Sequence, residues 1–582
     1  MNQKLSIDID TEIPMRDGVI LRADIYRPDD GRPYPAILLR TPYRKKYMST
    51  QWGELSPIPL AKAGYAVILQ DTRGTGSSDG EYNFYFDQGD DGYDSCEWIA
   101  GQEWCDGRVG GYGHSYYAYT QLTMAAKKPP HLICIAPFMQ SCRPKYSGGF
   151  LPNALHAEWL SKQAERYLER IKDEGRREEC RRILTQHTKN MREQYRFVPE
   201  IDMPVMQLTE YFPYMKEYRI KVEKYDSPSG PEVEGRPIDL SNVDTPMLLY
   251  AGLYDTSSKN GPFENFMTLT HVNPNEHVRN NTRLVAGPWK HGVRFEPNQG
   301  ELGFGNADGK ILNINDHIRR FFDYHLKGID EGMEASAPVR IYIMGKNIWR
   351  DEYEYPLART RYTDFYLRSN GNANTLSGDG WLSAAPPEEY EPEDQFIYDP
   401  EKPAPDRVPG GCAGGIQDWS SVETMREDML VYSTPVLGKG IEAIGMFKAE
   451  LEISSDCPDT DFVCRLTDVY PNGKSLNITE GAVRASYNNT YERKLLEPGE
   501  IRRVTVDLGN SSIYFKEGHK IRLEVTSSCF PMIDRNHNTG NRVGTDTEMK
   551  IARNCVYHNP VKASKLILPV IPEDEEEEIN EL

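Results

Sequence analysis

The chain lacks a C-x-x-C pair, a long apolar run and a surplus of cations, and each lack removes a class of function. Its ten cysteines are scattered singly. That spacing argues against a cysteine metal site and leaves reduced, structural thiols as the expectation. No apolar stretch approaches the roughly 18 residues that span a bilayer. The opening MNQKLSIDIDTEIPMRDG has no apolar core of a secretory signal. A cytoplasmic protein without a membrane anchor is therefore expected. Sixty-eight Lys and Arg stand against 88 Asp and Glu, for a formal charge of -20. Nucleic-acid partners need a basic footprint, so they are excluded, as is docking on anionic membranes. Part of the acidity is local, in the closing PEDEEEEINEL, which reads as a solvated tail.

What is present is 582 residues, too many for one core, with 38% hydrophobic residues. Strand-like and helix-like stretches alternate at first. VILRADIYRP, YPAILLRTPY and the continuous apolar run YAVILQD read as strands. GYDSCEWIAGQ reads as a helix, RVGGYG as a strand, SYYAYTQLTMAAKK as a helix stopped by two prolines, and HLICIAPF as a buried strand. Such alternation implies a mostly parallel sheet covered by helices. LHAEWLSKQAERYLERIKDEGRREECRRILTQHTKNMREQY interrupts it with a charged helical pattern whose charges read as a solvated face. Strands resume with TPMLLYAGLYD and TRLVAGPWKHG. After about residue 356, short alternating strands separated by turns such as PNG and KEG imply an antiparallel sandwich or jelly roll. The organisation expected is an α/β domain over 1–142 and 236–355, a helical insertion over 143–235, a β domain over 356–572 and an acidic tail over 573–582.

Two serines compete for a nucleophile's place. GSSDG, residues 76–80, fits the G-x-S-x-G pattern, but no helix follows it and it reads as a loop. GGYGHSYYAY, residues 110–119, departs from that pattern at Tyr117 yet has the strand, tight turn and helix that a nucleophile elbow needs. Gly113 supplies a small residue where the backbone must pass close, and Ala118 another on the helix side. Ser115 is accordingly the candidate nucleophile, with helix capping as the bland alternative. The backbone N–H of Tyr116 is the natural oxyanion donor. A serine needs a base, and the base an orienting acid. Asp255 ends the run MLLYAGLY, and His291 ends RLVAGPWK. Of the other histidines after Asp255, His271 and His277 fall in a polar loop and His317 and His325 on an expected helix. Ser115, Asp255 and His291 follow the order of an α/β-hydrolase triad.

IPMRDGVILRADIYRP, RTPYRKK, DTRGTGSSDGEY, EWIAGQEWCDGRVGGYGHSYYAYTQ, GLYD, AGPWKHG, FFDYHLKG, DTDFVCRLTDVYPNGKS and GHKIRLEVTSSCFPMIDRNHNTG occur in that order. In these segments the chain resembles, almost end to end, the cocaine-esterase-like (CocE/NonD) hydrolases and their X-prolyl dipeptidyl-peptidase and amino-acid ester hydrolase relatives. The resemblance implies an α/β-hydrolase domain with an inserted helical cap and a C-terminal jelly roll. It implies Ser115, Asp255 and His291 as the triad. It adds the hydroxyl of Tyr43 as second oxyanion donor. The family's elbow carries its second glycine one position later than the general pattern, where this chain has Ala118. Where aromatic-acyl members often carry a bulky aromatic after the triad aspartate, this chain has Thr256 and Ser257, which argues against a benzoyl-like acyl group. The activity implied is hydrolysis of small esters, amides or short peptides through an acyl-enzyme, with neither metal nor organic cofactor and with a homo-oligomer as a possible assembly. An X-Pro dipeptidyl- or aminoacyl-releasing peptidase is the first alternative. An inactive hydrolase fold serving as a binding module is the second.

Overall fold

The computed structural model describes residues 4–50, 55–82, 88–142, 150, 153–210, 238–292, 294–405, 414–488, 492–542 and 544–572. The expected acidic tail and residues 143–149, 151–152 and 211–235 of the expected insertion lie outside them. The chain divides into two compact units. The first comprises residues 1–145, 155–297 and 305–340, and the second residues 146–154, 298–304 and 341–582.

Eight strands of the first unit form one sheet: β1 (Leu5–Pro14), β2 (Ile20–Pro28), β3 (Tyr34–Thr41), β4 (Ala66–Asp71), β5 (Cys105–His114), β6 (Leu132–Phe138), β7 (Leu248–Gly252) and β8 (Arg283–Gly287). Their order is β1-β2-β4-β3-β5-β6-β7-β8. β1 and β2 are antiparallel, and β2 meets β4 antiparallel. From β4 through β8 every pairing is parallel. The parallel strands are covered on both faces, which is why they read as continuous apolar runs; Ile37, Leu38, Val67 and Ile68 are fully buried. β1 escaped the sequence reading, although LSIDIDTEIP alternates with period two. It is an edge strand, so its Ile7 and Ile9 are exposed and half of its residues are polar.

Helix α1 (Gln88–Ala100) and helix α2 (Tyr116–Ala126) pack against each other and the sheet. Gly92 permits the close approach: a Cβ there would fall 2.7 Å from that of Met124. The charged insertion forms α3 (Asn153–Tyr167) and α4 (Glu174–Lys189). After β7 comes α5 (Gly261–Met267), and after β8 comes α6 (Ile314–Phe322), which buries Ile314, Ile318, Phe321 and Phe322 at helical spacing.

The second unit is rich in β-strands. Ile441–Ser455 pairs antiparallel with Arg502–Phe515, and Asp461–Val469 pairs antiparallel with both Ser475–Arg484 and Lys520–Thr526. Its interior holds Leu451, Ile453, Phe462, Leu466 and Leu523, all fully buried. It also holds charges, but paired ones: Arg465 donates to Glu480 and Glu524, and Arg484 to Asp461 and Asp534. The architecture is an α/β-hydrolase fold with a C-terminal β-sandwich.

Candidate active site

β5 runs into α2 through Ser115 alone, at φ 56 and ψ -123. This conformation is strained for a residue with a Cβ, and such strain costs about 1–3 kcal/mol. The surroundings enforce it. Ser115 N–H donates to the carbonyl of Phe138 at the end of β6, and Gln140 Nε2 donates to the carbonyl of Ser115 at 3.2 Å. Ala118 and Tyr119 N–H both donate to that same carbonyl, starting the helix. Gly113 is required, because a Cβ there would fall 2.2 Å from the Tyr117 carbonyl oxygen. The structure therefore builds an elbow with Tyr117 at the position where the general pattern has glycine.

Asp255 and His291 arrive on two loops tied to each other. Tyr254 N–H donates to the Trp289 carbonyl at 3.0 Å, and Gly252 leaves room for that carbonyl. Trp289, itself buried, is anchored by its indole N–H on the Ala307 carbonyl. His291 Nδ1 is 2.9 Å from Asp255 Oδ2, and His291 Nε2 is 3.0 Å from Ser115 Oγ. Asp255 also accepts from Ser257 N–H, Ser258 N–H and Ser258 Oγ. A buried carboxylate held by these donors fixes the proton of the imidazole on Nδ1 and leaves the lone pair of Nε2 toward the serine hydroxyl. Serine, imidazole and carboxylate joined in this way can move the serine's proton as its oxygen attacks a carbonyl.

Tyr43 belongs to the same neighbourhood. Its ring centroid is 5.7 Å from that of Tyr117 and 6.4 Å from that of Tyr116, both edge-on. Trp159, on α3, donates its indole N–H to the Tyr43 hydroxyl at 3.2 Å. Its ring stacks on Tyr116 at 6.1 Å. Accepting that bond leaves the phenol's one proton for another acceptor. Tyr116 occupies the first position of α2, where a backbone N–H has no intrahelical carbonyl to meet. The Arg166 guanidinium lies 4.9 Å over the Tyr43 ring.

Ser78 is elsewhere and otherwise engaged. It is buried, donates to the Asp71 carbonyl at 2.7 Å and accepts from Arg22 N–H at 2.9 Å. The glycines around it serve the loop: a Cβ on Gly76, at φ 49, would collide with the Asp71 carboxylate. The perfect pattern match is a packed turn.

Sequence reasoning missed Gln140, Ser258, Trp159 and Arg166. Gln140 stands just past the end of β6, the same strand-end position that identified Asp255 and His291. Trp159, Gln163 and Arg166 share one helix face by their spacing of four and seven residues; that face was read as solvated. Nothing in the sequence distinguishes Ser258. Among the described residues no group of three or more His, Cys, Asp or Glu side chains is arranged to hold a metal ion. Nor is any described helix long and apolar enough to cross a membrane.

A family model described as X-Pro dipeptidyl-peptidase (S15 family) matches residues 17–293. Another, the X-Pro dipeptidyl-peptidase C-terminal non-catalytic domain, matches residues 331–567. Cocaine esterase of Rhodococcus sp. is 34% identical to the chain, over 97% of this chain and 99% of that protein. A putative serine esterase of Mycobacterium bovis is 25% identical, over 96% and 94%. Among solved structures, an aminopeptidase from a marine sediment Thaumarchaeota archaeon superposes with a TM-score of 0.78 at 22% identity, over 98% of this chain and 97% of that one. An α-amino acid ester hydrolase does so with a TM-score of 0.73 at 21% identity, over 98% and 97%. Both levels of likeness, across both units, make the chain a hydrolase that belongs to the cocaine-esterase-like (CocE/NonD) branch of the S15-type serine esterases and peptidases.

Proposed function

We propose that the chain hydrolyses carboxylic ester or amide bonds of small molecules through an acyl-enzyme on Ser115. His291 takes the serine's proton as Oγ attacks the carbonyl carbon, then delivers it to the leaving group. A water follows the same route, giving its proton to His291 and releasing the acid. Asp255 holds the imidazole in the working tautomer. The N–H of Tyr116 and the hydroxyl of Tyr43 take up the charge that develops on the carbonyl oxygen. The observation that carries this reading is the unbroken chain from Asp255 through His291 to Ser115, at 2.9 and 3.0 Å, ending on a serine held at φ 56. The helices α3 and α4 act as a cap over this first unit. Nine described cysteines, all buried free thiols, suit a reducing cytoplasm.

The test is covalent. A fluorophosphonate should label the protein on Ser115, and Ser115→Ala should lose the label and lower turnover by roughly 10³-fold or more while melting like the wild type. Label on another residue, or none, ends the reading. A second reading, release of an amino-terminal residue or dipeptide, is favoured by the S15 match over residues 17–293. Turnover of aminoacyl or dipeptidyl anilides that vanishes when their α-amine is acetylated would select it over simple ester cleavage.

A further inference from the structure

A cavity of about 430 Å³ opens beside Tyr43, lined by both of its chain neighbours, Pro42 and Arg44. Its walls come from the turn after β3, the glycine-rich loop after β4 and the end of α3 with the residues that follow it. The lining is highly charged, but the two signs are differently occupied. Its carboxylates are engaged within the wall. Asp10 accepts from Lys45 and Ser77, and Asp71 from the N–H groups of Lys45 and Ser77. Glu169 meets Arg44, which also donates to the Arg166 carbonyl. Lys45 in turn is taken by Asp10, Asp24 and Asp71.

Among the described residues, two guanidinium groups of the lining meet no carboxylate. Arg166 donates one bond to Gln163 and otherwise lies over the Tyr43 ring. Arg170 donates only to the carbonyls of Gly76 and Ser78. Arg166 is half-buried, so its charge is partly withdrawn from water, and among the described residues no carboxylate pairs with it. Arg44, the third guanidinium, holds φ 68, a left-handed conformation that a side-chain-bearing residue adopts under constraint. A planar fork of N–H donors facing a cavity is matched by a carboxylate, which it can bind in bidentate fashion.

We infer that this cavity receives a carboxylate carried by the substrate, with Arg166 as its principal partner and Arg170 beside it. The enzyme's preferred esters or amides are then acids themselves: one carbonyl is cleaved and a second carboxyl group is recognised. The inference rests on the hydrolase reading above, because it places the carboxylate next to the tyrosine assigned to the oxyanion.

The experiment compares neutral and anionic esters of equal length by proton release at constant pH. Ethyl hydrogen adipate is set against ethyl hexanoate, with the carboxylate on the acid part, and 5-acetoxypentanoate against pentyl acetate, with it on the alcohol part. For at least one pair the anionic ester should be favoured in kcat/KM by about 10-fold or more, the scale of a charge-assisted bond. Arg166→Gln should remove that preference, mostly through KM, and Arg166→Lys should restore part of it. The quantity read is the ratio within a pair, so any effect of Arg166 through the Tyr43 ring cancels. Equal efficiency on both pairs in the wild-type enzyme overturns the inference with no variant needed. So does an Arg166→Gln enzyme that keeps the wild-type ratio, and so does adipate inhibition that is noncompetitive with ethyl hexanoate, which would make the cavity a site for a free anion. Absence of turnover on every neutral ester, with no fluorophosphonate label, would instead fail the hydrolase reading.

Discussion

At the scale of single residues, the two candidate serines differ in what surrounds their oxygens. Ser115 Oγ has an imidazole nitrogen at 3.0 Å, whereas Ser78 Oγ has a backbone carbonyl and a backbone N–H. Ser78→Ala should therefore keep its turnover near the wild-type level and lose stability, since the Arg22 N–H is left unmet at a cost of about 1–3 kcal/mol. A 100-fold loss of turnover with an unchanged melt would reverse the assignment. Tyr43 permits a graded test. Tyr43→Phe removes the proposed oxyanion proton and should lower kcat by about 10²–10³. Trp159→Phe keeps a ring against Tyr116 but removes the N–H that meets the Tyr43 hydroxyl, and should lower kcat by less, with the same sign. If Trp159→Phe alters KM alone, Trp159 shapes the pocket and does not orient Tyr43.

At the scale of elements, the elbow is a strand, one strained residue and a helix, and its tolerance follows from its close contacts. Gly113→Ala would force a Cβ to 2.2 Å from the Tyr117 carbonyl oxygen, so the turn must move and activity should collapse together with stability. Ala118 is different. It is fully buried and its N–H reaches the Ser115 carbonyl at 3.0 Å, so the elbow accommodates its methyl group. Ala118→Gly should leave turnover within about threefold and cost about 0.5–1 kcal/mol from lost helix propensity. A rise of 10-fold or more in kcat would show that the methyl group holds the nucleophile off its best position. The same scale explains what could be read in advance. The parallel strands were legible because burial on both faces writes itself as apolar runs. Ser115, Asp255 and His291 were legible because a parallel sheet delivers side chains at strand ends. β1 was hidden because an edge strand has a solvent side, and its Ser6, Asp8 and Asp10 look like a tail. Trp159 and Arg166 were hidden because a helix that covers a site carries the same charge pattern as one that covers nothing. Only the packing tells which side faces Tyr43.

At the scale of the whole molecule, the sharpest constraint is acid. His317 lies on α6 and His325 on the turn that follows it, and burial presses both below the ordinary value of 6.5, to about 4 and about 3. Arg320 and Arg340 add to the effect at His317, and His277 and Arg283 at His325. Tyr250, on β7, meets Nδ1 of the half-buried His317 at 2.7 Å, so the ring is tied to the strand that leads to Asp255. The unfolded chain binds these protons near 6.5, and the folded chain does not until about 4 and about 3. Their contribution to stability is therefore complete above pH 6.5 and is lost progressively as pH falls toward those folded values. For His317 the loss reaches at most about 2 kcal/mol by pH 5, less whatever its remaining solvent contact screens. Urea midpoints measured at pH 7 and pH 5 should thus fall steeply in the wild-type protein. In His317→Gln, which cannot take the proton, the fall should be shallower, although its stability at pH 7 is lower. If the two proteins lose equal stability between these pH values, His317 is not what acid attacks. The same pair of measurements with an ester substrate ties activity to this unfolding: turnover lost on acidification should track the fraction unfolded and differ between wild type and His317→Gln.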